Sequence, residues 1–203
     1  MRKLGYGLLA ALAALIGIWV ALLVFLPDAP AGVAPHGAVS RAVAKATPAA
    51  PTDMGHAALA MPVTSVPREQ LRDNWGDPRD NGLRAHHGTD IMAPANTPVI
   101  AAAPGTVEKL WSSAAGGTTI YVRSPQRNWT YYYAHLSGYA PGLHEGQVVK
   151  TGDPLGFVGD TGNAGAGNYH LHFGLTRTTP EQHWYEGQDV DPYPYLAGKP
   201  SSR

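Results

Sequence analysis

The sequence has no cysteine among its 203 residues. That excludes a disulfide framework, a thiolate metal site and a cysteine nucleophile. Charge is scarce too: 15% of residues are Asp, Glu, Lys or Arg, and fifteen of each sign leave a formal net charge of zero. A chain with no excess of positive charge offers no global attraction for nucleic acid. Helix-friendly composition is also lacking. The chain carries 24 Gly and 18 Pro, residues that destabilise helix interiors and favour turns. Against these absences stand nine histidines. A metal site is one way a chain with so few charges would use them.

Composition divides the chain into three. Residues 1–26 begin with Arg2 and Lys3 and continue through 23 uncharged, mostly apolar positions, 4–26. At about 1.5 Å per residue that run reaches roughly 35 Å, enough to cross a bilayer core. The apolar core of a signal peptide is shorter, about 7–15 residues. The expectation is therefore one N-terminal transmembrane helix, with a cleaved signal segment as the alternative. Arg2 and Lys3 place the N-terminus in the cytoplasm and the rest of the chain in the periplasm or cell-wall space. Residues 27–60 hold twelve Ala, five Pro and no aromatic, which is a linker and not a core. His36 and His56 fall there and read as solvated. Residues 61–203 hold fifteen of the eighteen aromatics, with eleven basic and thirteen acidic side chains. That segment is long enough for one domain of ordinary core size. It is mildly acidic and has no basic patch for nucleic acid.

The pattern of 61–203 is all-β. Short runs at 97–102, 106–111, 118–122, 129–135, 146–152, 154–158 and 169–175 are separated by glycine, proline and polar turn clusters. Strands of this length and spacing argue for a sandwich or barrel. A short helix at 68–74 is the one helical candidate after residue 60.

Three histidine segments punctuate these strands. The first runs Arg84-Ala85-His86-His87-Gly88-Thr89-Asp90, the second Tyr131-Tyr132-Tyr133-Ala134-His135-Leu136, and the third His170-Leu171-His172-Phe173. Alternate residues of a strand share a face. His170 and His172 then share one face, with Leu171 and Phe173 turned to a core. His86 and Asp90 share a face in the same way, and so do Tyr131, Tyr133 and His135. His87 is out of phase with Asp90 and is assigned to the opposite face or to solvent. His144 and His183 sit in polar loops and read as exposed. His86, Asp90 and one histidine of the third segment supply two imidazoles and a carboxylate. A catalytic zinc site uses three such ligands and keeps one position open for water. The remaining histidine of the third segment and His135 are then available as general base and transition-state stabiliser.

At these residues the sequence resembles the LytM/lysostaphin-type zinc endopeptidases, which cut peptides of peptidoglycan. The resemblance extends from Trp75-Gly76-Asp77-Pro78-Arg79 to Asp191-Pro192-Tyr193-Pro194-Tyr195-Leu196 and includes Gly159-Asp160-Thr161-Gly162-Asn163 before the third segment. It implies one zinc ion held by His86, Asp90 and His172, with His170 as general base and His135 as the second catalytic histidine. It implies a twisted antiparallel sheet with a smaller second sheet, and a groove walled by loops at 137–145 and 162–169. The implied partners are peptidoglycan peptides, with the membrane reached through the N-terminal helix. Tyr133 reads either as a groove residue or as a core residue. The alternative function is a non-enzymatic regulator of the same family that binds and activates a cell-wall amidase. A biotinyl- or lipoyl-type carrier, suggested by the hairpin at 146–153, fits an exported His-x-His chain poorly.

Overall fold

Strands form where apolar and polar residues alternate between glycine-rich turns, and almost all of them join one sheet. The computed structural model describes residues 59–201. The expected membrane span and most of the expected linker, with His36 and His56, lie outside these residues. Among the described residues no helix is long and apolar enough to cross a membrane.

A short hairpin comes first, β1 (Pro78–Arg79) with β2 (Arg84–Ala85). The main sheet has nine strands: β3 (Thr89–Met92), β4 (Pro98–Ile100), β5 (Gly105–Ser113), β6 (Gly117–Arg123), β7 (Trp129–Tyr139), β8 (Val148–Val149), β9 (Pro154–Val158), β10 (His170–Arg177) and β11 (Gln188–Val190). Every pairing is antiparallel. The mostly-β, antiparallel expectation is met. The helical candidate at 68–74 shrinks to a single 3-10 turn at Arg68–Gln70, because Leu71 is already extended. The Arg68 guanidinium instead reaches the carbonyls of Leu59 and Leu196, tying the start of the described chain to its end. A helix at Tyr193–Ala197, unforeseen from the sequence, buries Tyr193 and Leu196 and stops at Gly198, whose left-handed backbone suits glycine.

Strand β10 is the element on which the site depends. Its first half pairs with β3 and its second half with β11, while β7 runs along it from His172 onward. The register sets Asp90, His172 and Ala134 in one row across three strands. Side chains in such a row share a face. Leu171 and Phe173 point the other way and are fully buried, with Phe173 edge-on to Tyr133 at 5.3 Å between ring centroids. The apolar face of β10 thus anchors the strand in the core and turns its histidines outward.

Strand β7 departs from plain alternation. Between the pairs Ile120–Tyr133 and Thr118–Leu136, two residues, Ala134 and His135, stand opposite Thr119 alone. This is a bulge, and His135 has a left-handed backbone at φ 61°. Such a conformation costs a non-glycine residue roughly 1–2 kcal/mol. Its effect is to shift the strand's phase by one residue. Tyr131 and Tyr133 lie in the core, His135 faces the opposite side, and Leu136 is buried again. The shared face expected for His135 and the two tyrosines is therefore corrected. Tyr133 is a core residue whose hydroxyl accepts the Ala102 N–H at 2.9 Å.

Two loops meet beside this bulge. An added Cβ on Gly117 or Gly162 would collide with the backbone of the other's loop, and both residues have positive φ, 64° and 72°. Thr161 fixes the junction by donating from its hydroxyl to Leu136 O at 2.8 Å and accepting the Thr118 N–H at 3.0 Å. Gly117→Ala is expected to lower the unfolding free energy by more than about 1 kcal/mol, measured by urea denaturation. An unchanged midpoint would show that the two loops do not touch backbone to backbone.

Candidate metal centre

His86 does not lie on a strand. It sits in the link between β2 and β3, so the shared strand face expected for His86 and Asp90 is not how they meet. The link instead folds His86 inward. Its amide donates to Asp77 O at 2.9 Å, and its ring Nδ1–H donates to Asn74 O at 2.8 Å. A carbonyl can only accept, so this bond assigns the proton to Nδ1 and leaves the Nε2 lone pair directed at the site. His87, the neighbour, points elsewhere as expected. It stacks on Trp75 at 5.2 Å and meets Asp189 at 3.0 Å, with its side chain exposed. Gly88 follows because an added Cβ there would strike the His172 ring.

The result is a close trio. His86 Nε2 lies 3.0 Å from Asp90 Oδ1 and 3.0 Å from His172 Nδ1, and His172 Nδ1 lies 3.0 Å from the same Asp90 oxygen. Among the described residues these three form a group whose ligand atoms all fall within 4.8 Å of one another. They are the three residues the resemblance implied as ligands. Two imidazoles and a carboxylate converging on one point are a donor set that fits a divalent transition-metal ion. The fit is also electrostatic. Burial alone would raise the Asp90 carboxyl, but the His172 and His86 imidazoles beside it hold it well below the usual carboxylate range. Burial pushes the His172 imidazole down against the opposing pull of Asp90. Both groups are thus kept in the deprotonated forms that bind a cation.

His135 and His170 complete the wall. Their ring centroids are 4.8 Å apart. His135 Nδ1–H donates to Thr161 O and His170 Nδ1–H to Asn168 O, each at 2.8 Å. Both acceptors are carbonyls, so the neutral form of each ring carries its proton on Nδ1. His170 Nε2 lies 3.8 Å from Asp90 Oδ1. Burial lowers the His135 imidazole to about 4. All five residues line one cleft of about 340 Å³.

Other residues of this cleft escaped the sequence reading. Tyr132 lines it, with its ring 5.9 Å from that of His172. The bulge hid it, because counting back from His135 by twos lands on Tyr133. Burial pushes the Tyr132 phenol well above its ordinary value, so it remains a neutral hydroxyl. Arg79 and Arg84, paired across the β1–β2 hairpin, also line the cleft. Arg79 stood within the resembling stretch 75–79 without a role. Of the expected loop walls, Asn163, Ala164 and Asn168 take part, while none of 137–145 does. A second cleft of about 460 Å³ shares Arg84, Tyr132 and His172 with the first and is bordered by Tyr121, Trp184 and Tyr185. Arg123, 1% exposed, holds the loop carrying Trp184 by bonding Thr178 Oγ1 at 2.6 Å and Gln182 O at 3.1 Å.

A cleft of an antiparallel β fold that gathers His-x-x-x-Asp, a strand His-x-His and a lone bulge histidine defines a class of metal-dependent peptidases. The model for peptidase family M23 matches residues 84–192, and the chain belongs to that family, of the LytM/lysostaphin type. It is 35% identical over 150 residues to an L-Ala–D-Glu endopeptidase of Bacillus subtilis, covering 71% of this chain and 44% of that protein. It is 34% identical over 91 residues to the peptidoglycan DD-endopeptidase ShyC of Vibrio cholerae, covering 45% of this chain and 20% of that one. The chain thus spans less than half the length of these curated relatives. The catalytic domain of lysostaphin from Staphylococcus simulans superposes with a TM-score of 0.52 at 27% identity, covering 63% of this chain and 91% of that one.

The depressed His135 value has a consequence for stability. The unfolded chain takes up this proton near the ordinary value of 6.5, and the folded chain only near about 4. Between those values the unfolded state binds more protons, so stability falls as the pH falls through that window and is fully present above it. With chelator present, His135→Gln is expected to flatten the dependence of Tm on pH between 6.5 and 4. An equally steep dependence would show that His135 titrates normally in the fold.

Proposed function

We propose that this chain is a zinc-dependent endopeptidase that hydrolyses peptide bonds in peptidoglycan cross-links or stem peptides. The observation that carries the reading is the convergence of His86, Asp90 and His172 in the same cleft as His135 and His170. Membership of family M23 and the endopeptidase names of its relatives support the reaction class. In this reading His86, Asp90 and His172 hold one zinc ion. When bound, zinc supplies Lewis acidity that polarises a scissile carbonyl and acidifies water.

The two remaining histidines divide the proton work by their hydrogen bonds. His170 Nε2, beside Asp90, takes a proton from the attacking water and passes it to the leaving amine. His135 holds its own proton toward Thr161 and resists a second one, so its Nε2 acts as an acceptor. That suits orienting the water and leaves no N–H on that side to donate to an oxyanion. In this reading we therefore assign His135 to orienting the water and not to stabilising an oxyanion. As to place, we propose that residues 1–26 anchor the chain in the inner membrane and 27–60 tether the domain in the periplasm or cell-wall space.

Digestion of purified sacculi, with the new peptide ends identified by mass spectrometry, tests the reading. Soluble muropeptides are expected, lost with a chelator and restored by zinc. His86→Ala and His172→Ala are expected to lose zinc, whereas His170→Ala keeps it and cleaves about 10²–10⁴-fold more slowly. A fully zinc-loaded chain that releases no fragment would overturn the enzyme reading in favour of an amidase regulator.

A further inference from the structure

The β1–β2 hairpin sets Arg79 opposite Arg84. Arg79 donates from its guanidinium to Asp90 Oδ2 at 2.7 Å. The other oxygen of the same carboxylate, Oδ1, faces His86 and His172 at 3.0 Å each. The two oxygens of Asp90 are therefore divided between two tasks. The Asp90 side chain is only 16% exposed and that of Arg79 35%, so the pair forms the cleft wall with most of the carboxylate out of water. Asn74 braces the same corner. Its carbonyl accepts the His86 Nδ1–H at 2.8 Å, and its side-chain Oδ1 accepts the Asp90 N–H at 3.3 Å. Residues 74–79 thus contact two members of the trio from behind.

We infer that Arg79 is a positioning residue for the metal centre, which locks the Asp90 carboxylate so that Oδ1 alone faces the two imidazoles. This rests on the metal-site reading of His86, Asp90 and His172 and is independent of the peptidoglycan substrate. A carboxylate gripped by a planar, permanently charged guanidinium cannot turn about its terminal bond without breaking a charge-assisted hydrogen bond. Without that grip, either oxygen can rotate toward the imidazoles. Charge follows the same logic. Two neutral imidazoles and a carboxylate sum to −1, and the guanidinium brings the corner to zero. The electrophilic power of a bound dication is then not partly cancelled by its own ligands.

The test is zinc affinity, measured on the full-length chain in detergent by competition with a chromophoric chelator. The variants are Arg79→Met, Arg79→Lys, Asp90→Asn and the double Asp90→Asn/Arg79→Met. Arg79→Met is expected to weaken zinc binding about 10–100-fold, the usual effect of removing an outer hydrogen bond to a ligand. Arg79→Lys, which keeps the charge and one donor, recovers part of the loss. In the Asp90→Asn background Arg79→Met changes affinity by less than about twofold, because the partner is already gone. A loss under about twofold for Arg79→Met in the parent, or an equal loss in both backgrounds, overturns the inference. Metal-free Tm is read alongside: a merely structural role lowers Tm in the Met variant and leaves zinc affinity intact, which also overturns it. A parent chain that binds no zinc sinks the metal-centre reading itself. A parent that binds zinc as tightly as Arg79→Met sinks only this inference.

Discussion

Two imidazole nitrogens and a carboxylate oxygen 3.0 Å from one another need a proton or a cation among them. His86 Nε2, His172 Nδ1 and Asp90 Oδ1 are held in that arrangement, and much of the fold serves to hold them. Asn74 fixes the His86 proton on the far side of its ring, so the near nitrogen carries a lone pair. Burial keeps His172 from protonating to relieve the repulsion. A metal ion resolves what a proton resolves only poorly, since one proton bonds at most two of the three atoms well. The trio is therefore more than a cluster of polar residues. It is a donor set that suits a cation.

The second constraint is the bulge in β7. A regular strand would put Ala134 over the cleft and His135 in the core, where an imidazole would need a buried partner. The inserted residue spends some backbone strain to put both on the cleft side. Ala134, lying in the row with Asp90 and His172, is small enough to leave the cleft open. His135 then bonds Thr161, whose loop is held by the contact between Gly117 and Gly162. Strain in one strand and two glycines in two loops are thus parts of a single device. It aims one imidazole at the trio.

What was legible in the sequence follows from where local rules hold. Alternation places His170 and His172 on one face because β10 is a regular strand, with Leu171 and Phe173 marking its core face. Most strands were found because glycine and proline punctuate them. The His86–Asp90 pairing was anticipated for a reason that fails, since the link between β2 and β3 makes no strand and a loop folds His86 inward. Tyr132 is not legible as a cleft residue, nor Tyr133 as a core one, because three consecutive tyrosines carry no phase of their own and the bulge shifts their phase marker, His135. Arg79 was invisible because a residue that acts on a ligand from behind has no periodic relation to it.

These failures share a physical cause. Alternation predicts which face a side chain takes, but a site that must bring four imidazoles and a carboxylate into a single cleft cannot be built from faces alone. A regular face of β10 supplies His170 and His172, and its neighbour β3 supplies Asp90. The rest must reach that point from irregular backbone: a link for His86, a bulge for His135 and a two-stranded hairpin for Arg79. Irregular backbone is locally unfavourable, so each departure needs its own compensating bond. The Asn74 carbonyl supplies it for the link, Thr161 for the bulge, and the Asp90 carboxylate for the hairpin. The compensating bonds all end on residues of the cleft, so the interactions that steady the irregular segments are the ones that orient the chemistry.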